Sequence, residues 1–108
     1  MAQTNETKLC PKFEKGIQLA TKRWACLIIH QLLEGPKRFC AIETSLRISG
    51  RLLSERLKEL EQEGIIQRNV YDETPVRIEY VLTEKGKAFE EVLKSLQTWS
   101  QSWIKVED

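Results

Sequence analysis

Apolar residues recur at helical spacing over most of the chain, switch once to strict alternation, and then return to helical spacing. The pattern predicts a first short helix from Pro11, because proline is tolerated at the first helical position; it carries Phe13, Ile17, Leu19 and Ala20. A second helix is expected from about Arg23 to Glu34. It is apolar nearly all round (Trp24, Cys26, Leu27, Ile28, Ile29, Leu32, Leu33), which argues for a central position. The pair Gly35-Pro36 stops it. A short helix from about Arg38 to Ser45 then turns Phe39, Ile42 and Leu46 inward. Residues 47–49 read as a tight turn, with Ser49 a good N-cap for the following helix. That helix runs to Gln62 or Glu63, and Gly64 stands where a left-handed C-cap belongs. Two short helices across a tight turn make a helix-turn-helix.

Alternation follows in residues 66–70 and 77–82, separated by the turn-rich segment Tyr71-Asp72-Glu73-Thr74-Pro75-Val76. Two strands alone are marginal, so this hairpin must lean on the helices. The order is that of a winged helix-turn-helix, a mainly α fold with a small β-hairpin (α+β). Thr83 caps a last helical region in which Phe89, Val92, Leu93, Leu96, Trp99 and Trp103 form one apolar stripe. The stripe is large for a domain whose core is already supplied, and such a surface marks a partner; the alternative is that it folds back on its own domain. Phe89, Val92, Leu96, Trp99 and Trp103 are the candidate dimer contacts.

With 108 residues the chain has room for one domain, read here as 1–108, with residues 1–9 expected to be flexible. Membrane spans and a secretory signal are not apparent, which predicts a cytoplasmic protein without a membrane partner. The net charge of +1 does not announce a nucleic-acid partner, but its distribution is uneven. From Lys37 to Lys58 six bases stand against two acids, whereas from Glu59 to Glu91 nine acids stand against four bases. Phosphate contacts are therefore sought in the basic stretch.

On a helical wheel Leu53, Leu57 and Leu60 share a core-facing side, and Arg51, Ser54, Glu55, Lys58 and Gln62 point outward. The outward set suits a major-groove reader: arginine donates two bonds to guanine, serine serves base or phosphate, and a carboxylate accepts from cytosine. Lys58 suits phosphate. Arg56 projects to the side and reads as structural. Such a face is also the ordinary fate of solvated Arg and Glu; the hairpin immediately after it favours the DNA reading. Arg77 stands beside the hairpin tip, within reach of the minor groove or backbone. Lys37 and Arg38 open a helix whose unpaired N–H groups welcome phosphate, the alternative being solvated loop charge.

The segments Leu32-Leu33-Glu34-Gly35-Pro36-Lys37-Arg38-Phe39, Leu57-Lys58-Glu59-Leu60-Glu61 and Tyr80-Val81-Leu82-Thr83-Glu84-Lys85-Gly86 resemble HxlR-type winged-helix regulators of bacteria. So do Cys10-Pro11 and Lys22-Arg23-Trp24, and the resemblance runs from Cys10 to about Trp103. It implies a homodimer formed through the N- and C-terminal helices, with recognition helices in successive major grooves of a double-stranded operator. It also implies Ser49, Arg51 and Ser54 as readers and Arg77 as a wing contact. In part of that family the cysteine before the proline senses quinones, other electrophiles or oxidants, and Cys10 matches it. Lys8, Lys12 and the helix N-terminus all favour its thiolate; a packing or capping role is the plainer alternative. Some thiol-sensing relatives pair this cysteine with one near the C-terminus, but residues 103–108 contain none.

Cys26 reads as an inert core thiol, and Cys40 as half-buried beside Phe39 or as a second reactive thiol. The expected function is a transcriptional repressor released when Cys10 is modified. Competing readings are a regulator answering a non-covalent ligand and a protein–protein adaptor without DNA. Enzymatic chemistry, a metal and a cofactor have no residues to support them: His30, the one histidine, sits in an apolar helix and reads as packed or hydrogen-bonded.

Overall fold

Ile28, Ile29, Ile42, Leu53, Leu57, Leu60 and Ile65 lose essentially all contact with solvent, and all but Ile65 lie on helices whose apolar spacing turns a side inward. The computed structural model describes residues 10–107, so the expectation for residues 1–9 lies outside the described part. The elements are α1 (Pro11–Thr21), α2 (Ala25–Leu32), α3 (Phe39–Leu46), α4 (Gly50–Gln62), β1 (Ile66–Tyr71), β2 (Arg77–Leu82), α5 (Glu84–Lys87) and α6 (Glu90–Trp103). This is the expected α+β winged helix-turn-helix.

The caps fall where the residue types require them. Pro11 opens α1, and the Ser49 hydroxyl accepts the Leu52 N–H at 3.2 Å to open α4. After α4, Gly64 takes φ +76°, a left-handed turn that a side chain would resist. The strands pair antiparallel from Ile66↔Leu82 to Tyr71↔Arg77. A one-residue third strand joins them: Lys37 N–H donates to Tyr80 O at 3.1 Å and Tyr80 N–H to Lys37 O at 2.8 Å.

The Thr83-Glu84-Lys85-Gly86 segment ties the end of the wing back to the end of α4. Thr83 Oγ1 accepts the Gly86 N–H and donates to the Gly64 carbonyl, while Lys85 Nζ donates to the Glu63 carbonyl at 2.6 Å. Gly86 has to be glycine, because a Cβ there would stand 2.2 Å from the Ile65 carbonyl oxygen. The wing thus cannot shift without moving the C-terminus of α4.

Several expectations need correction. Helix α2 is shorter than its apolar run, because Trp24 takes a left-handed φ of 79° and breaks the helical path after α1. It is not buried all round either: Leu27 and His30 are exposed. The last helical region is interrupted: Phe89 N–H bonds Gly86 O three residues back, tightening the turn before α6. Phe89 then packs against its own core with Leu93, whereas the rest of the stripe leaves it. Cys40 is exposed rather than half-buried, since Ile42 takes the inward position of its short helix.

Candidate nucleic-acid interface

Leu53, Leu57 and Leu60 anchor α4 in the core, and this fixes its opposite side outward. Arg51, Ser54, Glu55, Lys58 and Gln62 are all exposed, at spacings of three and four that make one stripe. Arg51 is nearly free in solvent, with 92% of its side chain exposed and Nε 3.7 Å from Glu55. An exposed pair at that distance is weak, so Arg51 can leave Glu55 for a base edge or phosphate. Ser49 begins the same face, although its oxygen is already engaged as the N-cap.

The turn before α4 is closed by Arg47 in the left-handed region at φ 56°. At the other end of α3, Arg38 is the N-cap and exposed, which leaves its cation at the edge of the helix-turn-helix. Lys37 is placed differently from the sequence reading. Its N–H is spent on Tyr80, and its ammonium pairs with Glu34 at 2.8 Å, holding that carboxyl below its ordinary pKa first through the hydrogen bond.

Arg77 also has a different setting from the one read in sequence. Its guanidinium lies 4.0 Å from the centre of the Tyr71 ring, its direct cross-strand neighbour. Nε and Nη2 donate to the two oxygens of Glu73 at 3.2 and 2.9 Å, and Nη1 pairs with Glu79 at 2.8 Å. The bidentate bond holds the Glu73 carboxyl below its ordinary pKa and the guanidinium above its own; Arg38 adds a further lowering on Glu73. Arg77 therefore organises the wing, with two carboxylates already occupying its donors. The hairpin's exposed cation is Arg68 on β1, opposite Tyr80, which the acidic balance of its surroundings concealed in sequence.

A second surface lies on the terminal helices. Val92, Leu96, Trp99 and Trp103 follow one another at spacings of four, three and four along α6, and Trp99 and Trp103 remain 53% and 73% exposed. Phe13 and Ile17 of α1 are exposed as well. The stripe does not fold back on its own domain. Cys10, the N-cap of α1, is exposed, and its carbonyl accepts the Glu14 N–H at 2.9 Å. Cys26, by contrast, is half-buried; its thiol donates to the Ala20 carbonyl at 3.2 Å, and burial pushes its pKa up. Among the described residues no group of three His, Cys, Asp or Glu could hold a metal ion, and no helix is long and apolar enough to cross a membrane.

A helix-turn-helix presenting Arg51, Ser54 and Lys58, flanked by a braced hairpin, defines a winged-helix DNA-binding protein. The HxlR-like helix-turn-helix family model matches residues 19–108, and the chain belongs to that family. It is 54% identical over 101 residues to the uncharacterized HTH-type transcriptional regulator YvaP of Bacillus subtilis (strain 168), a match that spans 93% of this chain and 94% of YvaP. It is 50% identical over 101 residues to the HTH-type transcriptional regulator YodB of the same organism, spanning 93% and 90%. The reduced form of YodB superposes with a TM-score of 0.82 at 47% identity, covering 94% of this chain and all of that one. The quinone-bound form gives 0.78 at 45%, covering 88% and 100%. The redox regulator HypR in its oxidized form gives 0.81 at 32% identity, covering 90% and 100%. The protein is a transcriptional regulator and not an enzyme.

Proposed function

We propose that the chain is a homodimeric repressor that leaves its operator when Cys10 is modified by a quinone or another electrophile. The observation that carries this reading is the placement of Cys10: an exposed thiol at the N-cap of α1, a helix whose apolar Phe13 and Ile17 are themselves exposed. In the reaction the Cys10 sulfur adds to a ring carbon of the quinone. A carbon–sulfur bond forms, the ring is reduced to the hydroquinone level, and the thiol proton ends on oxygen; no outside oxidant is consumed. The dimer would form through Val92, Leu96, Trp99 and Trp103 of α6 together with Phe13 and Ile17 of α1. Each copy would then set one α4 into a major groove, with Arg51 and Ser54 toward bases, and Lys58 and Arg38 toward phosphate. Similarity to YodB, which has been solved in reduced and quinone-bound forms, supports the choice of electrophile.

The test is fluorescence-anisotropy binding to the promoter region of the protein's own gene, in a Cys40→Ser background that removes the other exposed thiol. Tight binding by the reduced protein, lost after 1,4-benzoquinone and retained by the additional Cys10→Ser variant, is expected. Equal release of both proteins would remove Cys10 from the mechanism.

A further inference from the structure

Helix α1 has no buried residue of its own, so few contacts set its direction. Leu19 packs against the core, the Cys26 thiol bonds the Ala20 carbonyl, and the chain then bends through Lys22, Arg23 and the left-handed Trp24 into α2. At that bend α4 reaches across. Arg56 Nε donates to the Arg23 carbonyl at 3.0 Å, and Arg56 Nη1 pairs with Glu59 one turn further along α4 at 3.2 Å. Glu59 in turn receives Lys22 at 3.4 Å. Only 16% of the Arg56 side chain is exposed, against 92% for Arg51, so its stem is packed and its reach to the joint is fixed even though the bond to the Arg23 carbonyl lies at the surface. Beside it, between α1 and the C-terminal half of α4, lies a cleft of about 380 Å³ bordered by Lys15, Leu19, Lys22, Arg56, Glu59 and Glu63.

We propose that Arg56 is a positioning residue: it carries the setting of α1 to α4 by holding the Arg23 carbonyl and Glu59 at once. The same α4 that presents Arg51, Ser54 and Lys58 to DNA therefore grips the joint at the foot of α1 from its side face. A turn of α1 about the Lys22–Trp24 bend, into or out of the cleft, pulls the Arg23 carbonyl relative to α4. Either the recognition helix follows or the bond breaks. The arginine is specific to the task, because a planar fork can reach a carbonyl and a carboxylate together, whereas an ammonium is a single point of charge. Its consequence for regulation rests on the Cys10 reading, but the mechanical link does not.

Linkage is reciprocal: if α1 biases α4, then DNA held by α4 must steady the foot of α1. Hydrogen exchange of the intact protein, with and without promoter DNA, reads this directly at residues 20–27. DNA is expected to slow exchange there in the parent, to leave it unchanged in Arg56→Gln, and to slow it partly in Arg56→Lys. In the same proteins, in the Cys40→Ser background, the ratio of DNA Kd after and before 1,4-benzoquinone should fall at least about fivefold in Arg56→Gln. The Kd of the unmodified variant should stay within about threefold of the parent, since Arg56 is not on the outward stripe. Absence of DNA-dependent protection at residues 20–27 in the parent, or its persistence in Arg56→Gln, would overturn the proposal. A parent whose Kd ignores the quinone while DNA still protects the joint only through Arg56 would remove the Cys10 switch and leave the link standing. A purely structural role would lower thermal stability and weaken binding before and after the quinone alike, with the ratio unchanged.

Discussion

Helices α4 and α6 are built to nearly the same plan, thirteen and fourteen residues with one apolar side, and the chain treats them in opposite ways. In α4 the leucines at 53, 57 and 60 are covered by α2, α3 and the hairpin, and the polar side is what remains to act. In α6 only Leu93 is buried, and the apolar residues Val92, Leu96, Trp99 and Trp103 face outward. The lesson is that an amphipathic repeat specifies a covered face without saying which molecule covers it. For α4 the cover is the protein's own core; for α6 it is open in a single copy, and about 100 residues of small domain leave little else to bury it.

The largest way to break this contrast is Trp99→Asp. It should separate the two copies and lower operator affinity by about 100-fold or more, because each half-site reader would then bind alone. Analytical ultracentrifugation and anisotropy read both effects. Leu57→Ala is the counterpart in α4 and should cost about 2–5 kcal/mol of folding stability by chemical denaturation, with association unaffected where the protein remains folded. Arg51→Ala, on the outward side of α4, should cost about 1–3 kcal/mol in operator binding and relax preference at one base pair. Lys58→Ala should weaken binding to every sequence alike and reduce the salt slope by about one. Selective effects exchanged between these two would reverse their assignment.

The smallest expected effect lies in the wing. The folded pKa of Glu73 is below its ordinary 4.5, so the ionised carboxylate is what the fold stabilises. That contribution is complete above the ordinary value and drains away as the pH falls through the lower folded one. Tyr71 ring resonances, sensitive to the guanidinium stacked on them, should stay still above the ordinary carboxylate value, move as the pH falls below it, and not move in Glu73→Gln.

Much of the architecture was legible because the residues that specify it act locally. The Leu53-Leu57-Leu60 repeat, the Ser49 cap, the Gly64 turn and the alternating strands each carry their meaning within a few positions. The sideways, structural setting of Arg56 was also readable from the wheel, although not the Arg23 carbonyl it holds, 33 residues away. What stayed hidden depends on contacts made only after folding. Arg77 looked like a free wing cation until the Tyr71↔Arg77 register brought Glu73 and Glu79 around it. The start of α2 is not legible in the apolar run, because hydrophobic content does not reveal the left-handed Trp24. The exposure of Cys40 and His30 follows from helix rotation in a short element, where one apolar neighbour more or less decides the side that faces in.

The most direct measurement is the solution mass of the reduced, DNA-free protein at micromolar concentration, by sedimentation equilibrium beside Trp99→Asp. Twice the chain's 12.6 kDa for the parent, and 12.6 kDa for the variant, is expected if a second copy closes the open side of α6. A parent that sediments as one chain yet binds its promoter tightly would contradict it.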